Sequence, residues 1–507
     1  MCFLLIGSTL QNLLLFSSFW DYLLSVTKKQ LADLTNDADE AAKLIRDHIK
    51  NDDIIHLYSH IDADGITSAG IMGNALLRAG GKFRLRLERW MDEKVAKRIG
   101  QETSSLIIFT DMGSGYLDLL ENELLNKDVI ILDHHQPIAD LPSNFNQVNP
   151  HTYGIDGTRD ISGSGVTYFV AKALDESNID LACIAIVGAL GDLQDKNKER
   201  KLAGANRTIV QDAVQSGFLG VETDLLFFGR ETRPIHEALA RTTNPFIPEI
   251  SSEEDKSLAF LINLGIKPKI DEKWRALRDL SSEEKKRLLS AIADHLVSKG
   301  LPGDIAFDLI GEVYTLTKEE PWTPLRSGRE FSVLLNATGR MDKAGLGVAI
   351  CMGDRKKCLE EAKSIIREYR RTITKYLKWL TEKPGRLEQL ENIYVVRGNG
   401  FIDEKVLSPV CTILSTTLTS LGKPIIAYAT ISGEEEVKVS SRGSESLIQK
   451  GLNLGEIMQI SAEKFSGRGG GHDIAAGAQL PIKNIDKFIT LVNDLTQKQL
   501  AGEQIGS

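Results

Sequence analysis

The stretch from Ile131 to Asp140, ILDHHQPIAD, puts Asp133, His134 and His135 in a row at the end of a short apolar run. Three titratable side chains at the end of a buried strand are costly to desolvate, so they call for a partner other than water. Working outward, DIIHLYSH (53–60), SLIIFTD (105–111) and DVIILDHH (128–135) are strand-like, and LACIAIVGALGD (181–192) reads as a further strand. Helical patterns such as GITSAGIMGNALLRAG (65–80) and SGVTYFVAKALDE (164–176) lie between them. Alternation of this kind predicts an α/β fold with crossover units and a parallel sheet covered on both faces. Ligands bind at the carboxyl ends of the strands in such sheets, and each of these runs ends in Asp or His.

The rest of the chain frames that sheet. At 507 residues it is too long for one core. A net charge of −9 excludes an evenly basic coat for nucleic acid, while leaving room for a local basic groove. The five cysteines (Cys2, Cys183, Cys351, Cys358 and Cys411) form no CxxC pair, which fits a reducing, cytoplasmic setting without a thiolate zinc site. The opening MCFLLIGSTLQNLLLFSSFWDYLLS has no basic segment before its apolar stretch, and Ser8, Thr9, Gln11 and Asn12 interrupt it. We read residues 1–26 as an extension outside the fold, with no membrane span and with loss of these residues tolerated. An amphipathic helix follows it.

Residues 27–205 are expected to form the sheet domain and 206–354 a mostly helical insertion, with EFSVLLNATGR (330–340) leading back to the main body. Residues 355–383 read as a long connector helix, and 384–500 as a smaller α/β domain containing the strand-like NIYVVRGNG, PIIAYATISG and EVKVSSRGS.

Four clusters carry the chemistry. In SHIDADG, His60, Asp62 and Asp64 alternate, so an extended segment would turn all three to one side. Asp111 follows in FTDMGSG, then the histidine pair, then Asp192 in GALGDLQD. Taken singly, Asp111 and Asp64 suit turns, Asp192 suits a helix cap, and His60 suits a satisfied core position. Taken together at successive strand ends, they read as a metal centre. Carboxylates with imidazoles and no thiolate suit Mn²⁺ or Mg²⁺ better than structural zinc. So many converging acids could not all stay ionised without cations between them. Asp195, three residues beyond Asp192, reads as an exposed turn acid before it reads as an extra ligand. SGSGVT (162–167) reads as a helix cap before it reads as an anion cradle.

SHIDADGITSAG, FTDMGSG, LDHHQP and VGALGDLQD resemble motifs I to IV of the DHH phosphoesterase superfamily. SSRGS (440–444) and GRGGGHDIAAGA (467–478) resemble its DHH-associated C-terminal domain. FFGRETRPIHEALARTTNPFIP (227–248) and TPLRSGREFSVLLNATGR (323–340) are similar to the archaeal RecJ-like single-strand exonucleases. The resemblance implies two divalent cations. His60, Asp62 and Asp111 would hold one. Asp64, Asp111, His134 and Asp192 would hold the other, so that Asp111 bridges. It also implies that His135 faces the scissile phosphate and Asp133 orients the histidines from behind. Arg442, Arg468, Gly469, Gly470, Gly471 and His472 would bind substrate. The activity implied is exonuclease digestion of single-stranded DNA, with RNA as a further substrate, in replication or repair. Two alternatives come with it: a small-substrate phosphoesterase (nanoRNA, cyclic dinucleotide or pyrophosphate) and a replisome scaffold bound to GINS. Every ligand position is filled by a competent residue, which favours an active enzyme over a pure scaffold.

Overall fold

The structure, a computed structural model, describes residues 27–505 apart from 243–244, 384 and 418–421. The expectation about residues 1–26 therefore falls outside the described residues. Among those described, no helix is long and apolar enough to cross a membrane. The chain divides into two compact units, at residues 363 and 364.

In the first unit, α1 (Lys28–Lys50) opens on a capping box between Thr27 and Gln30. It leads into β1 (Ile54–His60), α2 (Ala63–Arg78), β2 (Lys82–Glu88), α3 (Glu93–Gly100), β3 (Leu106–Thr110), β4 (Asp128–Leu132) and β5 (Phe145–Val148). The five strands are all parallel, in the order β2-β1-β3-β4-β5. The central strands are buried on both faces, which is why they read as continuous apolar runs. β2 (KFRLRLE) and β5 (FNQV) were not foreseen. The first is an edge strand that alternates exposed cations with half-buried apolar residues, and the second is only four residues long.

Three apolar helices, α2, α4 (Gly163–Leu174) and α5 (Ala182–Gly191), pack on one another over the sheet. α5 corrects the sequence reading, since LACIAIVGALGD is helix and not strand. A short, uniformly apolar run does not separate a buried strand from a buried helix by periodicity. The small residues of this run decide the matter by letting α5 approach α2 closely; a Cβ at Gly191 would lie 2.6 Å from that of Ala63.

After α6 (Asn206–Gln215), an antiparallel pair, β6 (Leu219–Leu225) and β7 (Ile310–Leu316), frames the insertion. Its helices α7 (Ile235–Ala240), α8 (Glu254–Asn263) and α9 (Ser282–Ser298) enclose a separate core that includes Ile235, Leu261, Leu288 and Ile292. α10 (Gly328–Arg340) and α11 (Ala344–Cys351) then pack on α2, and α10 also on α5. The helix α12 (Lys357–Glu382) follows.

The second unit is a mixed sheet of order β8-β9-β10-β11-β13-β12. Its strands are β8 (Leu387–Gln389), β9 (Tyr394–Arg397), β10 (Ile425–Thr430), β11 (Glu436–Arg442), β12 (Arg468–Gly471) and β13 (Ala475–Pro481). α13 (Leu407–Thr417) packs on β10 and β11, while α14 (Leu454–Lys464) and α15 (Ile485–Leu500) contribute to a core with Val437, Val439, Met458 and Phe488.

Candidate metal centre

Strand register brings the first groups together. Ser59, Thr110 and Leu132 are neighbours across β1, β3 and β4, so His60, Asp111 and Asp133 leave the sheet side by side. Asp62 and Asp64 arrive differently from the sequence reading. The chain turns into helix after Ile61, so Asp62 is the N-cap of α2, accepting from the Gly65 N–H at 3.0 Å, and Asp64 lies in its first turn. Helix geometry, not strand pleat, aims them. Asp192 comes in from the C-terminal end of α5.

Backbone groups hold several of these side chains. Asp111 is left-handed, with φ 56°, while its N–H still donates to the Leu132 carbonyl at 2.9 Å. A non-glycine residue in that region costs ~1–2 kcal/mol, a strain kept where it aims a functional group. The Asp64 carboxylate accepts from the N–H groups of Gly163 at 2.7 Å and Ser164 at 3.0 Å. Ser162 caps that helix, as SGSGVT suggested, and the anion its N-terminus holds is this chain's own carboxylate. A Cβ at Gly163 would lie 2.7 Å from Asp111 Oδ1, and one at Gly188 would lie 2.5 Å from Asp64 Oδ1. Carboxylates fill that space.

His134 donates from Nδ1 to the Gly157 carbonyl at 2.6 Å, which turns Nε2 toward the acids. Nε2 lies 3.3 Å from Asp111 Oδ1 and 3.7 Å from both Asp64 Oδ2 and Asp192 Oδ2. Both His134 Nε2 and Asp111 Oδ1 are buried without a hydrogen-bond partner. On the other side, His60 Nδ1 lies 3.0 Å from Asp62 Oδ2 and 3.8 Å from Asp111 Oδ2. His60, Asp62 and Asp111 thus form one group whose ligand atoms all lie within 4.8 Å of one another, and Asp64, His134 and Asp192 form a second. Two orphaned buried atoms amid hard oxygen and imidazole donors fit a divalent cation.

Asp133 is wholly buried behind the histidines. It accepts from the His135 Nδ1–H at 2.7 Å and from the N–H groups of His134 at 2.8 Å and Ser114 at 2.9 Å. The His135 side chain is half exposed.

The acids conflict with one another. Burial, then Asp64 and Asp62, raise Asp111 well above the usual carboxylate range. Burial raises Asp192 to about 6 against the pull of His134, with Asp64 and Asp62 adding to the rise. Asp62 is held well below its ordinary value, because His60, the Gly65 N–H and Arg340 outweigh burial. Burial lowers His134, yet Asp192, Asp64 and Asp133 outweigh it and push the ring up to about 9. His135 also rises to about 9, where Asp133 overcomes burial, so it is an imidazolium at neutral pH. Asp133 itself stays ionised, since both histidines and the Ser114 N–H outweigh its burial. Cations drawn by the acids would compete with the His134 proton.

Asp195 corrects another expectation. It is buried rather than exposed, and it pairs with the Arg329 guanidinium. Sequence reasoning also missed the Gly157 carbonyl, the Ser114 N–H and the hold of the α4 start on Asp64. Of these, only the Ser-Gly-Ser-Gly run carried a signal.

The predicted substrate residues lie in the second unit. Arg442 ends β11, donating from Nε to Thr412 Oγ1 at 2.9 Å and from a terminal nitrogen to the Ser441 carbonyl at 2.7 Å. Arg468 to Gly471 form the edge strand β12, paired antiparallel with β13, and not an open loop. The sheet therefore uses part of the backbone that the sequence reading left free. His472 follows, its N–H donating to the Ala475 carbonyl at 2.9 Å.

Comparison with known proteins gives three domain matches. The profile described as the DHH family N-terminal domain matches residues 54–189, the DHH-CID domain matches 227–310, and the DHHA1 domain matches 393–498. An uncharacterized protein of Methanocaldococcus jannaschii is 31% identical over 91% of this chain and 98% of its own length. The single-stranded-DNA-specific exonuclease RecJ of Bacillus subtilis is 30% identical over 33% of this chain, but that match spans 23% of the exonuclease. Among solved structures, RecJ of Thermus thermophilus in complex with Mn²⁺ aligns with TM-score 0.55 and 19% identity, over 91% of this chain and 55% of that one. CDC45 of Entamoeba histolytica aligns with TM-score 0.60 and 14% identity, over 91% and 99%. At these identities the two structures speak to the fold.

Proposed function

This chain belongs to the DHH phosphoesterase family and is a hydrolase of phosphodiester bonds, and we propose that it digests single-stranded DNA, and single-stranded RNA as well, as a two-metal exonuclease of replication or repair. The observation that carries this reading is the buried, partnerless pair Asp111 Oδ1 and His134 Nε2, set between two groups of hard ligands. One cation would lie with His60, Asp62 and Asp111, and the other with Asp64, Asp111, His134 and Asp192. Mn²⁺ or Mg²⁺ there would neutralise the phosphodiester, activate water and stabilise the leaving oxygen.

The remaining work falls to this chain's own groups. Asp111, placed in both proposed ligand sets, would fix the spacing between them. The imidazolium of His135, held by Asp133, presents a donor to a phosphoryl oxygen as charge builds on it. Gly157 keeps His134 Nε2 turned inward. In the second unit, Arg442, Arg468 and His472 would hold phosphates of the strand, with Gly469 to Gly471 letting it approach closely. The name of the Bacillus subtilis relative supports single-stranded DNA as the substrate. A GINS-type replication partner, which the family resemblance implies, is the natural one to seek.

The test is digestion of oligonucleotides labelled at either end, with Mn²⁺ and Mg²⁺ in turn, beside a dinucleotide. Stepwise loss of terminal nucleotides from the long strand supports the reading. Cleavage confined to the dinucleotide would replace it with a small-substrate phosphoesterase.

A further inference from the structure

Helix α10 lies far from every ligand in sequence, yet it grips both helix ends that deliver them. The Asn336 side-chain oxygen accepts from the Ala63 N–H at 3.0 Å, across 273 residues of chain. Ala63 is the first residue of α2, between Asp62 and Asp64, and its N–H is one of the donors that a helix start leaves without an internal partner. Two turns earlier, Arg329 donates to the Leu190 carbonyl at 2.9 Å and also pairs with Asp195. Leu190 lies in the last turn of α5, and Leu190 and Asp195 bracket Asp192.

The packing between these elements is close. A Cβ at Gly339 of α10 would lie 1.8 Å from the Ile61 carbonyl oxygen, so this helix abuts the link from β1 to α2 directly. At its other end α10 is anchored in the insertion, where the buried Glu330 carboxylate accepts from the Glu231 N–H at 2.8 Å and from Thr232.

We propose that Arg329 and Asn336 are positioning residues of the metal centre, Asn336 fixing the helix start that carries Asp62 and Asp64, and Arg329 fixing the helix end that carries Asp192. This inference rests on the metal centre proposed above. The carboxylates repel one another, so the helix ends need an external hold to keep them converged. Two bonds from one rigid helix supply it. The side-chain oxygen is what matters at residue 336, and the two-pronged reach of a guanidinium is what matters at 329.

The test is Mn²⁺ titration by calorimetry, with the electron paramagnetic resonance of bound Mn²⁺, on full-length variants that melt cooperatively. Asn336→Leu and Arg329→Met should weaken Mn²⁺ binding by about ten- to a hundredfold, the range seen when groups behind a ligand are removed. Asn336→Asp keeps an acceptor for the Ala63 N–H and should bind Mn²⁺ within about threefold of wild type. Arg329→Lys keeps the charge without the fork and should fall between Arg329→Met and wild type; it also serves should Arg329→Met fail to fold. Oligonucleotide binding without metal should not change. Wild-type Mn²⁺ affinity in Asn336→Leu and in the folded Arg329 variants would overturn the proposal, leaving α10 a packing element. A wild-type protein that binds no Mn²⁺ would instead sink the metal centre itself.

Discussion

The carboxyl end of the parallel sheet and the glycine-rich edge of the second unit solve opposite problems. At the sheet end Asp64, Asp111, Asp133 and His134 are buried, backbone groups hold several of them, and two atoms left without a partner face inward. At the edge strand, Arg468 is exposed and His472 partly so. A centre that must bring like charges together needs restraint. A surface proposed to follow a flexible polyanion needs reach. The two should therefore fail differently, one nearly completely and one by degrees.

The largest effect tests the restrained end. Asp111→Ala should reduce digestion of single-stranded oligonucleotides in Mn²⁺ to background, because the residue is the proposed bridge between the two ligand sets. Asp111→Asn should be equally inactive yet melt higher than wild type in chelator, since burial with Asp64 and Asp62 disfavours this charge in the absence of cations. Near-normal turnover in folded Asp111→Ala would break the comparison at its root.

Next comes the edge. Arg468→Ala should weaken binding of a single-stranded oligonucleotide in Ca²⁺ by about ten- to a hundredfold, the worth of one charge-assisted contact. The slope of that binding with salt should fall by roughly 0.7. Mn²⁺ affinity should be unchanged; a loss there with oligonucleotide binding intact would assign this strand to the metal centre.

The glycine run itself can be split by its surroundings. A Cβ at Gly469 would lie 2.3 Å from the Met458 carbonyl oxygen of α14, whereas one at Gly470 would meet nothing within 4 Å. Gly469→Ala should therefore destabilise the protein by ~1–3 kcal/mol in a thermal or denaturant melt. Gly470→Ala should keep wild-type stability and lose oligonucleotide affinity only. Equal stability losses at both positions would make the whole run a packing feature.

The same contrast explains what was legible in the sequence. The His and Asp clusters could be read because apolar strands end abruptly at them, and strand register then brings His60, Asp111 and Asp133 into line. Asp192 lies beside Asp64 and His134, but it reaches them from a helix and not from the strand read for it, because LACIAIVGALGD is apolar throughout and offers no period to read. What holds the ligands was hidden. Gly157, the α4 N-terminus and Asn336 act through backbone groups or across long sequence separations, and no local pattern announces a carbonyl aimed at an imidazole. Asp195 looked like a turn acid because its partner, Arg329, is 134 residues away.

The smallest effect separates burial from metal within the sheet unit. Asp160 is partly buried and belongs to neither ligand group; burial raises it to about 6 despite the Asp156 N–H and Arg159. The sign follows from linkage. An acid raised on folding favours the folded state fully below its unfolded value near 3.8, and that contribution is lost as pH climbs through about 6. At pH 7 wild type therefore carries a strained charge that Asp160→Asn removes. Solvent screens a partly exposed group, so the variant should gain only ~1 kcal/mol there and little at pH 4. Melting both proteins from pH 4 to 8, in chelator and in Mn²⁺, checks this. The gain should grow between pH 4 and 6 and be the same in both conditions, because no cation reaches Asp160. A gain that vanishes in Mn²⁺ would tie this acid to the centre and widen the region where charge is held by metal.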